Sequence, residues 1–191
     1  MSQPVDHEIG TDSKTLTLEA FADTIIPGEK RWPGDRAIAG VSQGGGSVAA
    51  GALALLEMPE GGMAPLLEGV VTALNQYAGK YRADHGLDPD DSVPAFVALP
   101  SEHRVALVQE LTAPAHPEKE LWTGLALFCN MAFDSAAHMH TTDALAQGHP
   151  GLIAMGFSAP DGDSLWRFPD YSYRRPLARL HPRTTRTGNP A

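Results

Sequence analysis

Apolar residues in this chain recur at intervals of three and four, and an alternation of period two is nowhere sustained over more than about five residues. A strand with one buried face needs that alternation, so a sheet has nothing to be built from and the fold class is all-α. Leu18, Phe21, Ala22 and Ile25 mark a helix over about 17–26, stopped by Pro27-Gly28. Ser47 is placed to cap a helix over about 48–57. Leu67, Val70, Val71, Leu74, Ala78 and Tyr81 define a long core helix over about 64–83. Pro94 to Leu99 reads as a short helical piece, and Ser101 as the cap of a helix that turns Val105, Val108 and Leu111 inward. Pro117 opens a further helix with Leu121, Leu125, Phe128, Cys129 and Ala132 on one stripe, running to about Ala137. Beyond Gln147-Gly148-His149-Pro150-Gly151 the helical period fades. The expected layout is a flexible N-terminus at 1–14, an irregular bundle of about five to six helices over 15–157, and an extended Arg/aromatic-rich C-terminal arm over 158–191.

With 191 residues, 42% hydrophobic and 19% charged, the chain has enough apolar material for one domain core and too little charge for a disordered polymer. Its net charge of -9 repels phosphate backbones and anionic membranes, which argues against nucleic acid and membrane as partners. That charge is unevenly spread. Arg167, Arg174, Arg175, Arg179, Arg183 and Arg186 face only Asp170 after residue 166, so the tail carries +5 and residues 1–166 carry -14. Such an arm folds over its own acidic body, docks on an acidic partner, or swaps onto a second copy in a homo-oligomer. Trp166, Arg167, Tyr171, Tyr173, Arg174 and Arg175 are the candidate partner-binding residues, being of the types enriched at interface hot spots. The run Val48–Leu56 is far shorter than the roughly 20 residues needed to cross a bilayer. Met1–Glu8 has neither a basic nor an apolar region of a leader, so the expected location is cytoplasmic.

Few motifs carry chemistry. Gly44-Gly45-Gly46 follows no strand and lacks both the Gly-x-Gly-x-x-Gly and the Gly-Lys-Ser/Thr patterns, so it reads as a flexible connector rather than a phosphate cradle. Cys129, the one cysteine, sits in an apolar stretch and reads as buried packing. The densest cluster is Asp134-Ser135-Ala136-Ala137-His138-Met139-His140-Thr141-Thr142-Asp143. Asp134 and His138, four apart, would share a helix face and suit a metal ion or an oriented carboxylate–imidazole pair; His140 joins them only if the helix ends near Met139. Asp143 and His149 are further donors nearby. The other reading of the same run is histidines capping carbonyls at a helix C-terminus. Asp84-His85 reads likewise as a helix end, and Asp161-Gly162-Asp163 as a turn. No His-Glu-x-x-His or Glu-x-x-His pattern is present. From these residues the enzyme alternative is a small, metal-dependent protein working through Asp134, His138 and His140.

Ala20-Phe21-Ala22-Asp23-Thr24-Ile25-Ile26-Pro27-Gly28, followed by Ala37-Ile38-Ala39-Gly40-Val41, resembles the N-terminal pattern of the gluconate 2-dehydrogenase subunit 3 family. The segment Gly151-Leu152-Ile153-Ala154-Met155-Gly156-Phe157 is similar to that family's later turn before an irregular C-terminus. The resemblance implies a small helical partner of a glucose-methanol-choline type flavoprotein oxidoreductase. Such a partner stabilises or assembles the large subunit and brings no cofactor or catalytic residue of its own; FAD belongs to the large subunit. This chain departs from the family in lacking a twin-arginine start and in its Tyr171-Ser172-Tyr173-Arg174-Arg175-Pro176 stretch.

Overall fold

A computed structural model describes residues 13–157, and within them the chain is helical with no strand, as the periodicity requires. The α-helices are α1 (Ser13–Ile25), α2 (Ala52–Glu57), α3 (Leu67–Asp84), α4 (Ala95–Ala98), α5 (Ser101–Leu111), α6 (Lys119–Ser135), α7 (Thr141–Ala146) and α8 (Pro150–Ala154). Two single 3₁₀ turns, Pro59–Gly61 and Ala64–Leu66, lead into α3. Eight helices among the described residues exceed the five to six expected. The additions, α7 and α8, follow the last expected helix and go unseen because five or six residues are too few to show a period.

Helix α1 is the axis of the bundle and packs against α2, α3, α4, α5 and α6. Seven consecutive residues, Thr17 to Asp23, are buried, so α1 is enclosed on all sides rather than amphipathic as its apolar spacing suggests. Phe21 meets Phe96 of α4 with ring centroids 6.3 Å apart, and Leu18, Leu56, Leu67, Leu74, Leu111, Trp122 and Leu125 complete the fully enclosed side chains of the centre. In α5 the inward stripe is Arg104, Leu107, Val108 and Leu111, whereas Val105, expected inside, is 39% exposed. In α6 Trp122, Leu125, Cys129 and Ala132 face the core.

The glycine run is no flexible connector. Glu29 N–H donates to Gly44 O at 2.8 Å and Ser47 N–H to Ile26 O at 2.9 Å, which lays residues 44–47 along the Ile26–Glu29 strand of loop. The two backbones approach so closely that a Cβ on Gly28 would stand 2.6 Å from Gly46 N, and one on Gly46 would stand 2.6 Å from both Gly28 N and Pro27 C. Ser47 does not cap a helix over 48–57. Its Oγ donates to Cys129 O at 3.1 Å, turns fill 47–51, and α2 begins only after Gly51, which is left-handed at φ 84°.

A contrast between two glycines tests this packing. Gly46→Ala should lower stability by about 1–3 kcal/mol, the usual effect of forcing a methyl group into filled space. Gly79→Ala, in α3 with nothing within 4 Å of the new Cβ, should raise it by about 0.5–1 kcal/mol through helix propensity. Chemical denaturation at neutral pH reads both; equal effects of the same sign would refute the close approach.

Candidate functional site

The Asp134/His138/His140 cluster does not assemble. Helix α6 ends at Ser135, two residues short of the expected end, because Ala136 turns left-handed at φ 50° to bury its methyl group with Ala144 and Leu152. His138 therefore leaves on a turn and does not follow Asp134 one helical turn on. Asp134 Oδ2 accepts from Asn130 Nδ2 at 2.9 Å. His140 is the N-cap of α7, its Nδ1 accepting from Thr142 N–H at 3.3 Å. Among the described residues no three His, Cys, Asp or Glu side chains are placed to hold one metal ion. The helix-capping alternative describes His140, and it caps an N-terminus rather than the C-terminus envisaged. His149 does the same for α8: Nδ1 accepts from Leu152 N–H at 3.3 Å, and Nε2 lies 3.0 Å from Ala50 O.

The stretch from Asp23 to Val41 is organised by buried charge. Asp23, 3% exposed, accepts from Gly28 N–H at 3.0 Å through Oδ1 and from Ala39 N–H at 2.8 Å through Oδ2, so one carboxylate fastens both ends of the loop. Burial pushes its carboxyl above the ordinary value, against the pull of those two N–H donors. Arg31 grips Glu19 of α1 through two 2.6 Å bonds and reaches Asp35 Oδ2 through Nε at 2.8 Å, while its guanidinium lies 4.6 Å from the Trp32 ring centre. Burial acts upward on Asp35 too, but the bonds from Arg31 and from Ile38 N–H outweigh it and hold the carboxyl below 3.8. Asp35 thus adds stability that is present above that pH and lost as the pH falls below it. Arg104 of α5 closes the network with bonds to Leu99 O, Ala37 O, Arg36 O and Val97 O at 2.9, 2.7, 3.0 and 2.6 Å.

This loop builds one wall of a groove of about 490 Å³. Ile26, Pro27 and Ser42 to Gly45 form that wall, and Phe133, Gly148, Pro150, Ile153 and Ala154 form the other. Helix α8 reaches this position because Gly151 lies directly on Phe133 O, where a Cβ would overlap the carbonyl, and because Pro150 packs on Gly45. The groove is mainly apolar, and Ile153, Met155 and Phe157 stand exposed beside or beyond it.

A model of a family of unknown function (DUF5987) matches residues 12–191. The chain belongs to that family. No curated protein and no solved structure matches it. The DUF5987 match takes in both walls of the groove and the arm. The arm's candidate residues, Trp166, Arg167, Tyr171, Tyr173, Arg174 and Arg175, lie outside the described residues, as does Asp161-Gly162-Asp163.

A second groove, of about 250 Å³, runs along α3 and α5 and is lined by Tyr77, Tyr81, His85 and His116 with Lys80, Asp84 and Glu110. His85 Nδ1–H donates to Tyr81 O at 2.9 Å, the end-capping that Asp84-His85 suggests, and its ring stacks on Tyr81 at 3.9 Å. The Tyr81 hydroxyl is paired with His103 Nδ1 at 3.2 Å and that of Tyr77 with Glu118 at 2.9 Å. Cys129 is enclosed, and burial pushes its thiol up to about 12, so it is inert packing and not a nucleophile.

Arg104 and Asp35 escaped the sequence reading although a signal existed. Positions 104, 107, 108 and 111 follow the i, i+3, i+4, i+7 rule, and an arginine on that stripe implies buried acceptors. Asp23→Asn, which turns an N–H toward one of two backbone donors, should cost about 1–3 kcal/mol, the penalty for an unpaired buried group. Urea denaturation at pH 7 measures it; a variant as stable as the wild type would show that Asp23 does not hold the loop.

Proposed function

We propose that this chain is a cytoplasmic, helical accessory subunit that docks on a flavin-dependent oxidoreductase and stabilises it, with FAD and the chemistry residing in the partner. One observation carries the reading. The two stretches that resemble the gluconate 2-dehydrogenase subunit 3 family, 20–28 and 151–157, lie far apart in sequence yet supply opposite walls of one apolar groove. The acid in the first stretch, Asp23, spends both oxygens on loop N–H groups, which supports a role in shaping a surface rather than in moving protons. Ile153, Met155 and Phe157, each more than a third exposed, are the large apolar side chains a docking face needs. The Arg, Tyr and Trp residues of 166–175 supply a second contact of the composition found at interface hot spots.

Co-purification from the native host tests this with three forms: the full chain, a chain ending at residue 166, and Ile153→Asp. The full chain should retain a flavoprotein recognisable by its flavin absorbance. Each altered form should retain at least about tenfold less, equivalent to about 1.4 kcal/mol of binding. If the full chain brings down no flavoprotein, or only further copies of itself, the reading fails.

A further inference from the structure

His138, on the turn between α6 and α7, and His149, at the start of α8, bring their ring centroids to 6.0 Å with the planes inclined at 48°. The arrangement of His149 requires an uncharged ring. Its Nδ1 offers a lone pair to Leu152 N–H, so the proton sits on Nε2, which donates to Ala50 O. A second proton on Nδ1 would set donor against donor and abolish the cap of α8. His138 occupies a space open only because residue 51 is a left-handed glycine, since any Cβ there would overlap its ring. Its Nδ1 is buried and has no hydrogen-bond partner among the described residues.

We propose that the His138–His149 pair is a latch that holds α7 and α8 on the body while both rings are neutral and releases them in acid. Apart from the seating of Gly151 on Phe133 O and of Pro150 on Gly45, the segment it holds has only a small core of its own. Its apolar cluster is Ala136, Ala144 and Leu152, with Met139 and Leu145 at the edge. Among the described residues no neighbouring group pairs with the two rings to offset a proton. The turn before α2 presents the backbone of Ala50 and Gly51, and α8 contains no charged residue. In α6 Asp134 is bonded to Asn130, while α7 contributes Asp143 in its first turn and is capped by His140, bonded to Thr142. Neither His138 nor His149 forms an ion pair among the described residues. Burial first, and then the neighbouring His149, hold the His138 imidazole below its ordinary value of 6.5. The released state therefore takes up the proton first. Stabilisation by the latch is complete above about pH 6.5 and is lost as the pH falls from there toward the lowered value.

Because α8 is a wall of the 490 Å³ groove, release reshapes that groove, but the latch stands whether or not the groove binds a flavoprotein. Amide hydrogen exchange on the full chain, corrected for intrinsic rates, tests it. Between pH 7.5 and pH 5, amides of 144–155 should lose protection by at least about tenfold, while those of α3 and α5 keep theirs. His138→Phe keeps a ring in the space and sacrifices no bond at Nδ1, so it should shrink the acid-induced step to what loss of the His149 cap alone carries. Loss of protection uniform over the whole chain, or a full step persisting in His138→Phe, would overturn the proposal. Should that variant not fold, the imidazole proton resonances of the wild type decide: His138 must titrate below 6.5, in step with opening of α7–α8, and titration at or above that value refutes the latch.

Discussion

Two carboxylates on a helix with no exposed middle determine how the rest of this molecule is arranged. Glu19 and Asp23 lie one turn apart on α1, inside the seven-residue stretch that packs on five other helices. A buried carboxylate without partners is too unfavourable to persist, so the residues after α1 must come back to supply donors. Arg31 answers Glu19, and the N–H groups of Gly28 and Ala39 answer Asp23. The irregular course of residues 27–41 follows from that requirement, and Arg104 of α5 satisfies the carbonyls left on its far side.

The glycines between residues 28 and 51 serve the same end. Gly28 and Gly46 let two segments of backbone touch, and Gly51 makes room for an imidazole that arrives from the far end of α6. What looks like a flexible connector is a place where main chain packs directly on main chain. This explains how an apolar groove comes to have a wall with Ile26 as its one large apolar side chain, and why its opposite wall, α8, also begins with proline and glycine.

The large helices α3, α5 and α6 were legible because each has at least three turns over which a buried stripe can repeat. Helices α7 and α8 were not, since neither exceeds six residues and each is started by a histidine side chain rather than by a Ser or Asp. The late start of α2 was invisible for another reason: its Gly51 is left-handed on account of His138, 87 positions on, and Ser47 is drawn away by Cys129 O. The Asp134/His138 pairing failed on one residue, Ala136, whose left-handed turn no local propensity announces. No spacing announces the groove, because one wall comes from residues 26–45 and the other from residues 133–154.

The reach of Arg104 also bears on which parts of the molecule open together. Its guanidinium bonds carbonyls of residues 36, 37, 97 and 99, so these contacts exist only when α5, the α4–α5 turn and the loop after α1 are all in place. Lifting the loop away leaves a buried guanidinium and the carbonyls of 36 and 37 short of partners in the same step. The loop after α1 and the start of α5 are thereby tied into one cooperative unit.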